Sequence, residues 1–473
     1  MKFTESDQLG RWIDQAWRSG TLCGALALGL ALTLLLGACG GGQPGPAEIT
    51  QSAPASATAD GRKRAQLHTN TGPLAIQHFV FFDEVQAAYP QLFGNLGPIQ
   101  TLGPYTYRHD ATTGNYLALT ETDIVLLGPV VGSLTTPVIY ASLASFCGAP
   151  QTAKFCGFSQ RRIVTVDALE REFIVYVPWK SRHASNLPVV FMLHGTSGDG
   201  RQFFNNSGWR EVADVEGFIA VFPTALRHCF YEDDVTVNGS FEANERRTPT
   251  KWAHGGLGDP AKMPLCTPAQ IAQLPADTQA KVDHPLADDL GFFDAMVSDL
   301  NLNFAVDPKR LYVSGFSAGG QMSGRLAAER STVFAALAAA AGPAHLPLPQ
   351  AARPLSFIFT VGELDDRFTS ALGLAALPLT DSGSTEAFKT LMVRPHTDPQ
   401  WLDELTYTFS ATTLYGTPVS VYTYRTSEAL TAQSNTLYVG IIGGLMHQYP
   451  NGINHPVKMA EMLWGFFRTQ VLP

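Results

Sequence analysis

The stretch Val306-Asp-Pro-Lys-Arg-Leu-Tyr-Val-Ser-Gly-Phe-Ser-Ala-Gly-Gly320 decides the fold class of this 473-residue chain. Residues 310–314 predict a strand with an apolar centre, and the pentapeptide at 315–319 fits the pattern G-x-S-x-G. In that pattern a sharp turn joins a strand to a helix and exposes a serine hydroxyl above the end of a sheet. We therefore expect a helix over 320–329 and a nucleophile at Ser317.

Strand and helix patterns alternate outward from this turn. Near-continuous apolar runs at 187–193 and 218–222 are typical of strands buried on both faces. Helical patterns separate the later runs, at 289–302, 321–329 and 456–468. The alternation predicts an α/β fold with a mostly parallel, doubly wound sheet, whose active site lies at the carboxyl ends of the strands.

The carboxylate partner of Ser317 is expected downstream of it. A serine hydroxyl is a poor nucleophile until a base takes its proton, and in this arrangement the acid and then the histidine follow the serine. The segment Val361-Gly-Glu-Leu-Asp-Asp366 ends a predicted strand with three carboxylates. We expect Asp365 to be the acid, with Asp366 as the alternative, and Glu363 lies closer to the strand.

The expected base is His447, because Gly443-Gly-Leu-Met-His447 ends a later predicted strand. A carboxylate would hold one ring nitrogen of His447 and stabilise the imidazolium that forms when the other nitrogen takes the serine proton. Other histidines compete for this role: His345, His396 and His455. Because His455 opens the final predicted helix, capping or packing is its more natural role.

Two backbone N–H groups are expected to form an oxyanion hole. One belongs to Ala318, directly after the nucleophile, and the other to the loop His194-Gly-Thr-Ser197, where Thr196 is the expected donor. Gly195 would let this loop bend toward a substrate. Three further side chains are candidates for substrate contacts: Phe316, His194 and Trp252.

Residues 225–285 form a long segment rich in polar and turn residues. A loop of that length within a compact domain is usually functional or disordered, and a disulfide between Cys229 and Cys266 would order it. By position, the segment is a candidate lid or binding rim. Its Trp252 would then stack on an acyl or aromatic group, although packing is the commoner role of a tryptophan.

The N-terminus carries the pattern of an export signal. Residues 22–36 are apolar, too few for the roughly 20 needed to span a bilayer, and Leu36-Gly-Ala-Cys39 follows directly. This pattern resembles a bacterial lipoprotein signal, which is cut before a cysteine that carries a lipid. The resemblance implies lipidation of Cys39 and export, either with anchoring to a bacterial membrane (the outer membrane or cell surface) or by secretion. A plain secretory leader and a short membrane anchor are the alternatives.

Four segments are expected along the chain. A signal peptide covers residues 1–38, and a flexible tether rich in Gly, Pro, Ala, Ser and Thr covers 39–68. Short alternating apolar runs broken by Gly and Asn predict a small β-rich accessory module over 69–158. The catalytic domain then covers 159–473.

Four cysteines follow Cys39 in the chain. An even number in an oxidising compartment favours disulfides over metal ligation, so no metal site is expected. Close spacing pairs Cys147 with Cys156 and Cys229 with Cys266, although four cysteines allow three connectivities.

The composition excludes other function classes. The net charge is −9 and no Lys/Arg-rich run occurs, which argues against nucleic-acid binding. Hydrophobic residues make up 45% of the chain, enough to build a core, so a disordered acidic polymer is also excluded.

The sequence resembles the α/β-hydrolase family of poly(3-hydroxybutyrate) depolymerases and feruloyl esterases over about residues 160–470. Besides the stretch around Ser317, the resemblance rests on Pro188-Val-Val-Phe-Met-Leu-His-Gly195, Ser207-Gly-Trp209, Asp289-Leu-Gly-Phe292, Gly362-Glu-Leu-Asp365 and Met446-His-Gln-Tyr-Pro450. It implies an α/β-hydrolase fold and a serine carboxylic-ester hydrolase without a cofactor. The implied triad is Ser317, Asp365 and His447.

The resemblance implies a polyester of the hydroxybutyrate type, or its oligomers, as the substrate, cleaved through an acyl-enzyme on Ser317. Feruloyl or acetyl esters of plant polysaccharide are the nearest alternative. A serine peptidase on the same fold and a surface lipoprotein that only binds are two further alternatives. The complete set of triad candidates in the expected order argues against the last.

Overall fold

The computed structural model describes residues 157–473 except 182–183, 233–244, 283, 382–383 and 426–434. It also describes short segments earlier in the chain: 66–68, 95–98, 100–102, 105–112, 116–119, 123–127 and 138–142. The leader, Cys39 and the pair Cys147 and Cys156 lie outside the described residues.

The described strands, in chain order, are β1 (Gln66–His68), β2 (Gln100–Leu102), β3 (Tyr105–His109), β4 (Tyr116–Leu119), β5 (Asp123–Leu127), β6 (Val138–Ser142), β7 (Phe158–Val166), β8 (Leu169–Val177), β9 (Leu187–Leu193), β10 (Ile219–Pro223), β11 (Phe230–Glu232), β12 (Glu245–Arg247), β13 (Val306–Phe316), β14 (Ala336–Ala340), β15 (Ser356–Gly362), β16 (Tyr407–Leu414), β17 (Thr417–Arg425) and β18 (Thr436–Ile442). The described α-helices are α1 (Gly200–Asn206), α2 (Trp209–Glu216), α3 (Pro268–Ile271), α4 (Ala276–Val282), α5 (Asp289–Asn303), α6 (Ala318–Glu329), α7 (Asp366–Leu372), α8 (Glu386–Phe388), α9 (Arg394–Thr397) and α10 (Met459–Phe467).

Eleven of the described strands form one sheet, in the order β1-β7-β8-β10-β9-β13-β14-β15-β18-β17-β16. The six central strands, from β10 to β18, run parallel to their neighbours. Antiparallel pairs flank them on both sides. Helices connect most of the parallel strands, as crossovers between parallel neighbours require.

Helices cover both faces of this sheet, as the alternation along β9 shows. Val189 and Phe191 point into a core cluster that includes α5 and α6. Val190 and Met192 point into a second cluster that includes α1, α2 and α10. Because successive side chains of a strand face opposite sides, a strand between two helical layers must be apolar throughout. The expected fold class is confirmed: this is a doubly wound, mostly parallel α/β-hydrolase fold.

The region before β7 contains a second sheet. Strands β2 to β6 pair in chain order, each antiparallel to the next. This arrangement agrees with the β-rich module expected in that part of the chain.

One strand lies where we expected only tether. Residues 66–68, the last three of the range 39–68, form β1, which pairs antiparallel with the edge strand β7 so that Leu67 lies opposite Val164. The unpaired N–H and C=O groups of an edge strand can recruit even a short segment by main-chain hydrogen bonds. Three residues are too few to show a hydrophobic period, so the sequence did not indicate this strand.

Candidate active site

Ser317 occupies the turn between β13 and α6 with a φ of +52° and a ψ of −118°. A residue other than glycine in a sparsely populated conformation costs on the order of 1–3 kcal/mol. The surrounding backbone holds it there, since its N–H donates to the carbonyl of Ala340 at 2.8 Å. Gly342 permits this approach, because a Cβ at that position would lie 1.9 Å from the Ser317 carbonyl oxygen. Helix α6 begins directly after the serine, two residues earlier than predicted.

The structure brings Ser317, His447 and Asp365 into one hydrogen-bonded chain. Nε2 of His447 lies 3.1 Å from the Oγ of Ser317, and Nδ1 lies 2.8 Å from an Oδ2 of Asp365. With the proton on Nδ1, the ring donates to the carboxylate and leaves Nε2 free to accept the serine proton. This is the geometry required of a nucleophile, a base and an orienting acid.

Asp365 and the adjacent Asp366 lie in different environments. Asp365 is fully buried, and besides contacting His447 it accepts a hydrogen bond from the N–H of Arg367 at the start of α7. Asp366 is exposed on the first turn of that helix. Glu363 instead accepts the N–H of Gly444 at 2.7 Å, which ties the acid loop to the histidine loop.

The competing histidines have structural contacts elsewhere. His396 lies in the core against Phe357 and Phe359 of β15, with ring centroids 4.7 and 4.9 Å away. Nε2 of His455 donates to the carbonyl of Gly443. The ring of His345 stacks on His254 and contacts the amide of Gln321.

The two expected oxyanion donors flank Ser317. Within the described part of the chain, the backbone N–H groups of Thr196 and Ala318 donate to no other protein group. A Cβ on Gly195 would lie 3.2 Å from the Cβ of Ser317, so the loop that follows β9 passes close to the serine. Both N–H groups are therefore available to an oxyanion formed beside Ser317.

The side chains of His194 and Trp252, two of the three candidate substrate contacts, are buried behind the backbone of residues 194–197. We call residues 194–197 the oxyanion loop. His194 is fully buried, and its ring contacts the Gly195 carbonyl at 2.7 Å and accepts the Ala225 N–H at 3.0 Å. Burial lowers its pKa to about 4, so the ring is neutral at pH 7. Trp252 is also fully buried, and its indole N–H donates to the His194 carbonyl at 2.8 Å. Both side chains support the loop, and the expectation that they contact substrate does not fit their burial.

The segment 225–285 braces the same loop. The N–H of Ser197 donates to the Thr250 carbonyl, and the Thr250 hydroxyl donates to the Gly198 carbonyl at 2.6 Å. The disulfide between Cys229 and Cys266 is present in this segment, which also contains β11, β12, α3 and α4. None of the described residues of this segment lines the cavity beside His447, and those around Thr250 support the loop 194–197.

A cavity of about 260 Å³ opens beside His447. Three aromatic rings line it, those of Phe203, Phe316 and Tyr449, whose centroids lie 6.1 to 6.3 Å apart. The hydroxyl of Tyr449 accepts the indole N–H of Trp209 at 3.0 Å and so points away from a ligand. Phe316 is thus the one candidate substrate contact of the three that reaches the cavity.

Amide side chains supply most of the polar lining, and we did not predict them: Gln202, Asn206, Gln448, Asn451 and Asn454. Asn451 and Asn454 bond to the backbone around them. Gln202 and Asn206 are exposed and lie four residues apart in α1, a spacing that places them on one helix face. The four-residue spacing can be read from the sequence, but the sequence does not indicate which way this helix face points.

The described residues contain neither a candidate metal centre nor a membrane-spanning helix. No group of three or more His, Cys, Asp or Glu side chains among them is placed to hold a metal ion. No helix among them is long and apolar enough to cross a bilayer.

Known proteins match parts of this chain. The sequence profile of the prolyl oligopeptidase family matches residues 288–371, which run from α5 past the acid loop. The bifunctional acetylxylan esterase/xylanase XynS20E of Neocallimastix patriciarum is 25% identical over 196 residues, which cover 41% of this chain and 22% of that protein. Feruloyl esterase B of Neurospora crassa is 27% identical over 184 residues, which cover 38% and 47% of the two chains. The chain thus spans less than half the length of these relatives.

Among solved structures, an S-formylglutathione hydrolase from Agrobacterium tumefaciens aligns with a TM-score of 0.36 and 14% identity, over 67% of this chain and 96% of its own. An acetyl xylan esterase from Aspergillus awamori aligns with a TM-score of 0.34 and 14% identity, over 63% and 94%.

Proposed function

We propose that this chain is a serine carboxylic-ester hydrolase in which Ser317 is the nucleophile, His447 the general base and Asp365 the orienting acid. The observation that carries the proposal is the continuous hydrogen-bonded chain from Asp365 through His447 to Ser317. It lies at the carboxyl ends of the parallel strands, beside two free backbone donors.

The chemistry follows from the geometry. Nε2 of His447 takes the hydroxyl proton as the Oγ of Ser317 forms a bond to the ester carbonyl carbon, and the carbonyl oxygen becomes an oxyanion. The N–H groups of Thr196 and Ala318 donate to that oxyanion, and one such donor is typically worth about 2.7–4 kcal/mol of transition-state stabilisation. The carbon–oxygen bond to the alcohol then breaks, and the alcohol leaves with the proton from His447. Water repeats the sequence on the acyl-enzyme and releases the acid.

A hydroxybutyrate-type polyester, or its oligomers, is one substrate candidate. Two large apolar side chains on the histidine loop support it, because Met446 is 61% exposed and Ile453 is 93% exposed. Exposed apolar side chains of this size beside a catalytic cleft suit contact with an apolar polymer.

Esters of plant polysaccharide are the second candidate. The observation that favours them is similarity to proteins named as an acetylxylan esterase and a feruloyl esterase. Release of acid from acetylated xylan, from feruloylated arabinoxylan and from a hydroxybutyrate film, measured with one enzyme preparation, decides between the candidates.

We propose that the protein is exported. The disulfide between Cys229 and Cys266 supports this, because disulfides persist in oxidising compartments. Lipidation of Cys39 remains a prediction, and mass spectrometry of the protein purified from membranes tests it.

Replacement of the nucleophile tests the activity itself. Ser317→Ala should lower kcat for 4-nitrophenyl acetate at least about a thousandfold, because removal of a triad member leaves only the residual catalysis of the oxyanion hole and of binding. The matched control is Ser370→Ala, since Ser370 is exposed on α7 and should tolerate the change. A fluorophosphonate probe should label Ser317 in the wild type. Equal turnover by the two variants would refute Ser317 as the nucleophile, and a wild type without esterase activity would refute the proposed hydrolase.

A further inference from the structure

We infer that the cleft between α1 and residues 447–454 binds the alcohol portion of the ester, and that it selects a neutral alcohol bearing several hydroxyl groups, such as a sugar residue. This inference rests on the proposed function, since it assigns a role to one side of the same site.

The position of His447 assigns the cleft to the leaving group. The group that protonates the departing oxygen must lie within hydrogen-bond reach of it, so the alcohol occupies the space next to Nε2 of His447. The cavity is lined by His447, by Gln448, Tyr449, Asn451 and Asn454 after it, and by Gln202, Phe203 and Asn206 of α1. Thr196, the expected oxyanion donor, also lines this cavity. With the carbonyl oxygen on the Thr196 N–H and the leaving oxygen on Nε2 of His447, the alcohol extends into the cavity that both residues line.

The lining selects a neutral ligand. Among the described residues that line the cavity, only His447 can carry a charge. A carboxylate or phosphate on the alcohol would therefore lose water without gaining a cationic partner, which is unfavourable. The rings of Phe203, Phe316 and Tyr449 offer an apolar wall to the C–H groups of a ligand.

The amides select hydroxyl groups. The side chains of Gln202, Asn206 and Gln448 have no hydrogen-bond partner among the described residues, and each offers an NH₂ donor and a carbonyl acceptor. An alcohol hydroxyl also donates and accepts, so a polyhydroxylated group satisfies both halves of each amide. The interior of a hydroxybutyrate chain offers only acceptors, which leaves the amide carbonyls without a partner.

Substrates that share one acyl group and differ in the alcohol test the alcohol-binding side of the site separately from the acyl side. We would compare 4-nitrophenyl acetate, a monoacetylated methyl xyloside and a monoacetylated methyl glucuronide, which deliver the same acetyl-enzyme from an aryl, a neutral hydroxylated and an anionic alcohol. A fourth substrate, the hydroxybutyrate dimer, tests a polyester fragment. The variants are Gln202→Ala, Asn206→Ala and the double variant. The control is Asn205→Ala, an exposed amide on the same helix that does not line the cavity.

The double variant should lose about tenfold or more in kcat/KM on the acetyl xyloside, as expected for two hydrogen bonds at about threefold to tenfold each. Its loss in kcat/KM on nitrophenyl acetate should be smaller by about threefold or more, because an aryl alcohol lacks the hydroxyls that the two amides would bind. The wild type should prefer the acetyl xyloside to the glucuronide and to the hydroxybutyrate dimer.

Three results would overturn the inference while leaving the hydrolase intact: an equal loss on both the aryl and the xyloside ester, no loss on the xyloside ester, or a wild type that prefers the dimer. Failure of the wild type to cleave any of the four esters would overturn the proposed function as well.

Discussion

Asp365 and Asp366 are adjacent in the chain and have opposite surroundings. The side chain of Asp365 is buried between the imidazole of His447 and the first turn of α7, where it accepts hydrogen bonds from both. Asp366 projects from the same turn into solvent. A carboxylate can hold the proton of an imidazole on one nitrogen only when the two groups are fixed relative to each other, and only Asp365 meets that condition.

Asparagine substitutions at these two positions should therefore differ sharply. Asp365→Asn should lower kcat about 10⁴-fold on 4-nitrophenyl butyrate, because the amide NH₂ group favours the tautomer with the proton on Nε2. Asp366→Asn removes an exposed charge and should change kcat less than about twofold. Steady-state kinetics on folded samples of both variants measure the difference. The assignment fails if Asp366→Asn causes the larger loss.

At the scale of elements, the oxyanion loop (residues 194–197) is a short segment fixed by contacts on the side away from the cavity. The strand β9 delivers it, and residues 250–253 fix it through Thr250 and Trp252. The next residue, Ala253, donates its N–H to Asp289 at the start of α5. Asp289 in turn pairs with the buried Arg171 of β8. The position of the proposed oxyanion donor at Thr196 thus depends on contacts that begin in β8 and pass through α5.

Removal of the indole N–H should loosen this loop. Trp252→Phe keeps an aromatic ring in the core and leaves the His194 carbonyl without its donor, so we expect kcat to fall about tenfold while KM changes little. The pattern is expected because an oxyanion donor acts mainly in the transition state. Affinity for a boronic acid that mimics the tetrahedral intermediate should fall in parallel.

The control for this variant is Trp401→Phe, since Trp401 is 48% exposed and lies in another part of the chain. If Trp252→Phe lowers the unfolding temperature but leaves kcat and boronic-acid affinity unchanged, the tryptophan serves packing alone.

At the scale of the whole molecule, the core contains several histidines that are neutral when folded. Burial lowers the pKa of His194 to about 4 and the pKa values of His228 and His396 to about 3. In the unfolded chain each titrates near 6.5. Between these values the unfolded state binds more protons than the folded state, so the free energy of unfolding falls as pH drops below about 6.5.

Removal of one such group should weaken the acid sensitivity. At pH 5 each of these histidines lowers the free energy of unfolding by about 2 kcal/mol. This value follows from the 1.5 pH units between pH 5 and the unfolded pKa, at about 1.4 kcal/mol per unit. His396 suits the test because it lies between two phenylalanines and its Nε2 has no partner. In His396→Phe, the difference in unfolding free energy between pH 7 and pH 5 should shrink by about that amount, measured by urea denaturation. An unchanged difference would show that His396 becomes protonated inside the folded protein.

The parts of the site that depend on local chain geometry were predictable from the sequence. The turn at Ser317 was predictable because its glycines and its flanking strand and helix are adjacent in the chain. The approach of Asp365 and His447 to Ser317 was predictable because both follow strand ends in the expected order. The roles of Trp252 and His194 were not, because residue type does not tell whether an aromatic side chain faces a ligand or a core. The amides of α1 were missed for a similar reason, since the direction in which a helix face points is set by tertiary packing.

The strand β1 gives the chain a connectivity that its linear order conceals. β1 and β7 pair with each other, yet the accessory sheet of β2 to β6 lies between them in sequence. The sheet of β2 to β6 is therefore inserted between two strands of the eleven-stranded sheet and does not simply precede it in the chain. Deletion of all residues before 158 would remove β1 from β7. It would expose a row of N–H and C=O groups on β7 that can pair with another chain. Excision of the inserted residues, with the two strands rejoined by a short linker, would keep that edge covered.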